Sequence, residues 1–156
     1  MKFGTETYRA GAMERLADAT LLLENDRWVG AVYSAGLAVE GMLRSLVCLK
    51  DKQFDERHDL RRLATRIENL GLLRKSDADV NFVGTVQDVA VHWHNTLRFS
   101  ANDQLIRWWH DMGSVRKKKR RSQTAVCHQF VNQCYEVVRR CEVLWQRQRR
   151  GNSKKS

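Results

Sequence analysis

The sequence contains no proline. Proline is the residue that most sharply ends or kinks a helix, so helices here can run uninterrupted. Acidic side chains are also nearly missing from one region. Residues 112–156 hold two Asp and Glu against 13 Lys and Arg, whereas residues 1–111 hold 16 against 15. The net charge of +10 therefore resides in the C-terminal third. Such asymmetry reads as an electrostatic footprint for a polyanion rather than as a general aid to solubility. There is no Gly-rich phosphate loop, no HExxH and no Ser, His and Asp arrangement that spacing alone identifies. The opening MKFGTETYRA has no apolar run. The expectation is therefore no signal peptide, a cytoplasmic protein, and four cysteines kept as reduced thiols.

Apolar residues make up 42% of 156, enough for one domain with a real core and too many for disorder over most of the chain. The stretch WVGAVYSAGLAVEGMLRSLVCL, Trp28 to Leu49, organises it. From Trp28 to Leu43 the only charge is Glu40. Apolar or small residues recur at 28, 32, 35, 39, 42, 43 and 46, the spacing of a helix buried over most of its surface. Gly30, Ala31, Ser34, Ala35, Ala38 and Gly41 let neighbouring helices approach closely. Arg27, Glu40 and Arg44 argue against a membrane span, which needs roughly 20 apolar residues. Two readings of Glu40 stand: a carboxylate at the edge of the buried face reaching solvent, or a buried one met by a cation or donor, with Arg98 and His58 as the candidate partners.

Around this element the periodicity predicts a first helix from about Glu6 to Asn25. A polar loop follows from Asp51 to Arg57, then a shorter helix through Leu60, Leu63, Ala64, Ile67 and Leu70 ended by Gly71. Ser76 and Asp79 resemble a capping box opening a helix that carries Phe82, Val86, Val89 and Trp93 and stops near His94. A basic insert, near residues 100–121, contains a short helix around Leu105 to Trp109 and the run GSVRKKKRR. The last helix keeps one apolar face from Cys127 to Trp145. The predicted architecture is an all-α, up-and-down bundle of four to five helices spanning residues 1–148, with residues 149–156 a disordered basic tail.

In the run Arg116, Lys117, Lys118, Lys119, Arg120 and Arg121, six cations cannot all face a core, so they are solvated or held against phosphates. Trp108 and Trp109 beside Arg107 and His110 either stack on bases of a single strand or pack into the bundle or a dimer interface. His92 and His94 lie two apart, about 200° around a helix, with no Cys or carboxylate at ligand spacing, which favours structural roles. Cys127, Cys134 and Cys141 recur every seven residues, roughly 10.5 Å per step, too far apart to clasp one zinc or form a disulfide. Neither a metal nor a cofactor is expected.

The segment Ala31 to Arg44 (AVYSAGLAVEGMLR), His58-Asp59-Leu60 at the next helix, and Leu97-Arg98-Phe99 resemble HEPN domains, over roughly residues 5–148 apart from the insert. The resemblance implies a four- or five-helix bundle, often dimeric, found in prokaryotes and eukaryotes. It also implies a range of roles: metal-independent ribonucleases that act as toxins or defence nucleases, and non-catalytic partners of nucleotidyltransferases or ligands. The nucleases of that family share an Arg, a polar residue after it and a His a few positions on. There the histidine is general acid or base at the ribose 2′-hydroxyl, and the arginine stabilises charge on phosphate. Arg121, Ser122 and His128 fit a loose version of that pattern. In a chain with 19 arginines such a pair also arises by chance, so the spacing names the catalytic candidates without establishing catalysis.

The reading that follows is a HEPN-like protein binding nucleic acid, RNA before DNA, through its basic C-terminal third, in a prokaryotic defence or toxin–antitoxin system. The alternatives are a dimerisation or docking module for a nucleotidyltransferase or other protein, and a metal-independent ribonuclease.

Overall fold

The computed structural model describes residues 4–52, 58–74, 81–113 and 120–153. These form α1 (Thr5–Glu24), α2 (Trp28–Cys48), α3 (Leu60–Asn69), α4 (Phe82–His92), a 3₁₀ turn (Asn95–Phe99), α5 (Asn102–Asp111) and α6 (Arg120–Ser153), with no strand among the described residues. The result is an up-and-down helical bundle, with the short α5 bringing the helices among the described residues to six.

Helix α2 is the axis. It touches α1, α3, α5, α6 and the 3₁₀ turn, and Ala31, Val32, Ala35, Ala38, Val39, Met42, Leu43, Leu46 and Val47 are all fully buried. Its small residues permit this. A Cβ on Gly41 would stand 3.0 Å from Ala12 Cβ and 3.2 Å from the Tyr8 carbonyl oxygen, so the glycine sets how near α1 can lie. By length and composition α2 could cross a membrane, yet 78% of its apolar window is buried inside the bundle. Each large side chain sequestered there contributes about 1.5 to 3 kcal/mol.

The first and last helices are joined by polar contacts. Arg9 reaches Glu142 through Nε and Nη2, each at 2.7 Å. Trp145 Nε1 donates to Thr5 Oγ1 at 2.9 Å, and that hydroxyl donates to the Ser45 carbonyl of α2 at 2.7 Å. Three helices thus meet at one small hydroxyl.

Several boundaries differ from expectation. Helix α4 begins at Phe82 behind Asn81, while the anticipated capping box at Ser76 and Asp79 lies outside the described residues. Within the expected insert, α5 is an integral element. Leu105 and Trp109 are fully buried and Ile106 nearly so, and Asn102 bridges the turn between α1 and α2, accepting from Val29 N–H and donating to the Asp26 carbonyl, both at 2.9 Å. Helix α6 is longer than its apolar stripe at both ends. It takes in Arg120 and Arg121, and it continues through residues 149–153, where the sequence suggests disorder. The reason is local: Arg149 pairs with Glu6 of α1 and lies 4.9 Å over the Trp145 ring, and cations suit the C-terminal end of a helix.

Candidate functional site

Glu40 is 5% exposed, and both of its oxygens are engaged. Arg44, one turn on, donates from Nε to Oε1 at 2.7 Å, and His58 Nδ1 lies 2.9 Å from Oε2. The second reading of Glu40 therefore describes the structure. Of the two partners expected from sequence, His58 is there and Arg98 is not. Arg98 is exposed on the 3₁₀ turn with its guanidinium 4.6 Å over the Phe99 ring, since that turn points it away from α2. Arg44 is the partner that sequence reasoning missed, although a Glu followed four residues later by Arg is a recognised helical pair.

His58 holds a left-handed backbone, φ 45°, rare outside glycine, immediately before Asp59. Asp59 caps α3 by accepting from the Arg61 and Arg62 N–H groups at 3.0 and 3.1 Å. The cap and the Glu40 contact together orient the imidazole. In the neutral tautomer with Nδ1–H donating to the carboxylate, Nε2 of this half-exposed side chain carries the lone pair and can accept a hydrogen bond from a hydroxyl.

Three grooves follow one another from this histidine, sharing lining residues. The first, about 440 Å³, lies between α1 and α2 and is bordered by Tyr8, Arg15, Glu40, Arg44 and His58. The second, about 310 Å³, is bordered by His58, Asp59, Arg61, Trp93 and His94. The third, about 300 Å³, is bordered by His94, Thr96, Ser100, Gln104 and Trp108. His58 is common to the first two and His94 to the last two. His94 Nδ1 accepts from the Thr96 N–H at 3.3 Å and lies 2.8 Å from its hydroxyl, which leaves the neutral ring's proton on Nε2. Trp108 is half-buried beside the third groove, whereas Trp109 is fully buried and donates from Nε1 to the His92 carbonyl at 3.1 Å.

Helix α6 is the basic element, with seven arginines against two glutamates. Arg147 and Arg150 of α6 and Arg74, beyond α3, border a groove of about 610 Å³ whose acidic member, Glu142, is already bound to Arg9. That pairing holds the Glu142 carboxyl below its ordinary value, chiefly through the hydrogen bond from Arg9 and further through Gln146, and raises the guanidinium of Arg9. Arg116, Lys117, Lys118 and Lys119 lie outside the described residues, as do the side chains of Arg120 and Arg121. His128 is exposed on α6. It and Arg121 are seven residues apart on one helix, the same face but about 10.5 Å along the axis, so the fold aligns them without juxtaposing them.

Cys48, Cys127, Cys134 and Cys141 are buried and free. Burial pushes the Cys127 thiol up to about 12 and raises the other three as well, so they behave as small core residues. Among the described residues no three His, Cys, Asp or Glu side chains converge as metal ligands.

An all-α bundle wound about an alanine- and glycine-rich helix, whose buried carboxylate is tied to a histidine opening the next helix, defines the class of protein. The family model described as HEPN domain matches residues 5–93, more than half of the chain, and the chain belongs to that family. No curated protein and no solved structure matches it. The family match contains Glu40, Arg44 and His58 and ends at Trp93. It is shorter than the span of roughly 5–148 expected from the resemblance, and the basic run, Arg121 and His128 all fall beyond it.

Proposed function

We propose that this HEPN-family protein binds RNA through α6 and the basic segment that precedes it. One observation carries the reading: α6 concentrates seven arginines against two glutamates, and two of them share a groove with Arg74 in which the acidic member is already neutralised. A surface of this kind attracts phosphates by charge and releases their counterions, so it confers affinity with little sequence preference. The excess of cations continues through Arg116 to Lys119. The family's range supports a cytoplasmic setting in a prokaryotic defence or toxin–antitoxin system.

The test is salt-dependent binding. Replacing Arg116 to Arg121 with Ser or Gln, or Arg147 and Arg150 with Ser, is expected to leave the thermal midpoint in place and weaken RNA binding. The salt slope should flatten by about 0.7 for each single-strand phosphate that is no longer neutralised. No detectable binding by the unmodified protein at low salt overturns the reading.

A second reading is favoured by Tyr135 and Val143, each 52% exposed on α6 and eight residues apart on its outward side. Apolar groups so placed suit a protein partner, a second copy of this chain or a nucleotidyltransferase. Light scattering of the purified protein, parent against Tyr135→Ser with Val143→Ser, separates a dimer from a monomer.

A further inference from the structure

We propose that the three adjoining grooves form a track for a short single-stranded RNA segment, with His58 placed to read the ribose 2′-hydroxyl. The proposal rests on the reading that RNA is the ligand, but it assigns a surface separate from α6. It follows from the histidines. Each is held through Nδ1 by a different partner, Glu40 for His58 and Thr96 for His94, and each belongs to an exposed residue whose Nε2 is not taken up by that contact.

In their neutral forms the two rings are chemically opposite. Glu40 accepts the hydrogen bond from His58 Nδ1–H, so Nε2 of the neutral ring is an acceptor. The Thr96 N–H occupies Nδ1 of His94, so its Nε2–H is a donor. The second groove thus offers an acceptor on one side, a donor on the other, and the guanidinium of Arg61 at its rim. A phosphate oxygen fits His94 and Arg61, and a hydroxyl fits His58. The carboxylate bordering that groove, Asp59, is occupied in capping α3. The neighbouring groove beyond His94 ends at the half-buried Trp108, an indole on which a base can stack. In the other direction the track continues past Arg44 and Arg15.

A ligand that combines a phosphate, a vicinal hydroxyl and a planar base is a ribonucleotide chain. The 2′-hydroxyl is the group by which a protein distinguishes RNA from DNA. DNA would meet the same phosphate donors but leave the His58 acceptor unmatched.

The experiment uses the full chain with a hexamer of uridine and its deoxy counterpart as probes. It follows the imidazole signals of the five histidines by NMR and affinity by fluorescence anisotropy. The RNA hexamer is expected to shift the His58 and His94 signals and quench tryptophan emission. His94→Ala and Arg61→Ser, both at exposed positions, are each expected to weaken hexamer binding about fivefold, the loss of one hydrogen bond. His58→Ala is expected to bring RNA and DNA hexamers to equal affinity, and a parent that already binds them equally overturns the hydroxyl assignment. Arg147→Ser with Arg150→Ser is expected to leave the hexamer shifts intact. If long RNA binds through α6 while the hexamer moves neither histidine, and His94→Ala and Arg61→Ser bind like the parent, the track fails and the α6 reading survives. If no RNA of any length binds, both fail.

Discussion

The indole of Trp93 lies over Gly36 so closely that a Cβ on that glycine would stand 2.1 Å from Cδ1 and Nε1 of the ring. The ring cannot swing aside, because Nε1 donates to the Tyr33 carbonyl at 3.1 Å and the ring stacks on Tyr33 with centroids 6.3 Å apart. Gly36→Ala is therefore expected to cost about 3 kcal/mol or more by overpacking. Denaturant titration measures it, and a midpoint equal to the parent's would contradict the contact. Trp93 also borders the groove between His58 and His94, so the same variant should disturb the NMR signals of both rings.

Removing Glu40 leaves the Arg44 guanidinium, whose side chain is 12% exposed, without its carboxylate. Glu40→Ala is expected to cost about 3 to 5 kcal/mol, the penalty for breaking a buried pair from one side. Glu40→Gln keeps an acceptor and should cost less. Equal stability of Glu40→Ala and the parent in thermal unfolding would refute a buried pair.

The link between Arg9 and Glu142 makes stability depend on pH. The Glu142 carboxyl is lowered from 4.5, so its contribution is fully present above about 4.5 and disappears as pH falls through the lowered folded value. Unfolding free energies from about pH 6 to about pH 3 should show parent and Glu142→Gln differing by about 1 kcal/mol at the upper end and converging at the lower. Parallel curves would deny the pair a role.

The four thiols should be silent towards a thiol-specific reagent at neutral pH until the protein unfolds, since burial both hides them and disfavours thiolate. A rate of labelling of Cys127, Cys134 or Cys141 in the native state equal to that of a free thiol would show that α6 opens readily.

Catalysis has its own test. Purified protein incubated with RNA in the presence of a chelator is expected to bind without cutting. Cleavage that His128→Ala abolishes while binding persists would establish a metal-independent ribonuclease acting through α6.

What can be read from the sequence tracks how local its cause is. Helix α2 is legible because its pattern is a property of 22 consecutive residues, and the seven-residue recurrence of Cys127, Cys134 and Cys141 places them in the core for the same reason. That Glu40 has a partner is legible because a lone carboxylate on an apolar helix is costly to bury unmatched, although Arg44, Lys50, Lys52 and Arg57 all lie nearer in sequence than His58. Arg44 has a visible signal in its spacing from Glu40, one that the search for a more distant partner obscures. The ends of α6 are not legible from hydrophobic periodicity. That stripe ceases at Trp145, whereas what extends the helix is Glu6, 143 residues from Arg149. The grooves joined by His58 and His94 are beyond sequence reasoning, because they are assembled from α1, α2, the start of α3, α4, the 3₁₀ turn and α5.

The burial of α2 from opposite ends of the chain has a consequence for biosynthesis. Helix α1 precedes α2 and α6 follows it with three helices between, so the flank of α2 that packs on α6 is covered only once α6 has been made. During that interval a 21-residue helix of membrane-spanning length lacks the cover that α6 gives it in the folded bundle, and such exposed apolar surface is aggregation-prone. A variant truncated at residue 113 would lack α6 and leave that flank open, and it is expected to aggregate where the full chain unfolds cooperatively.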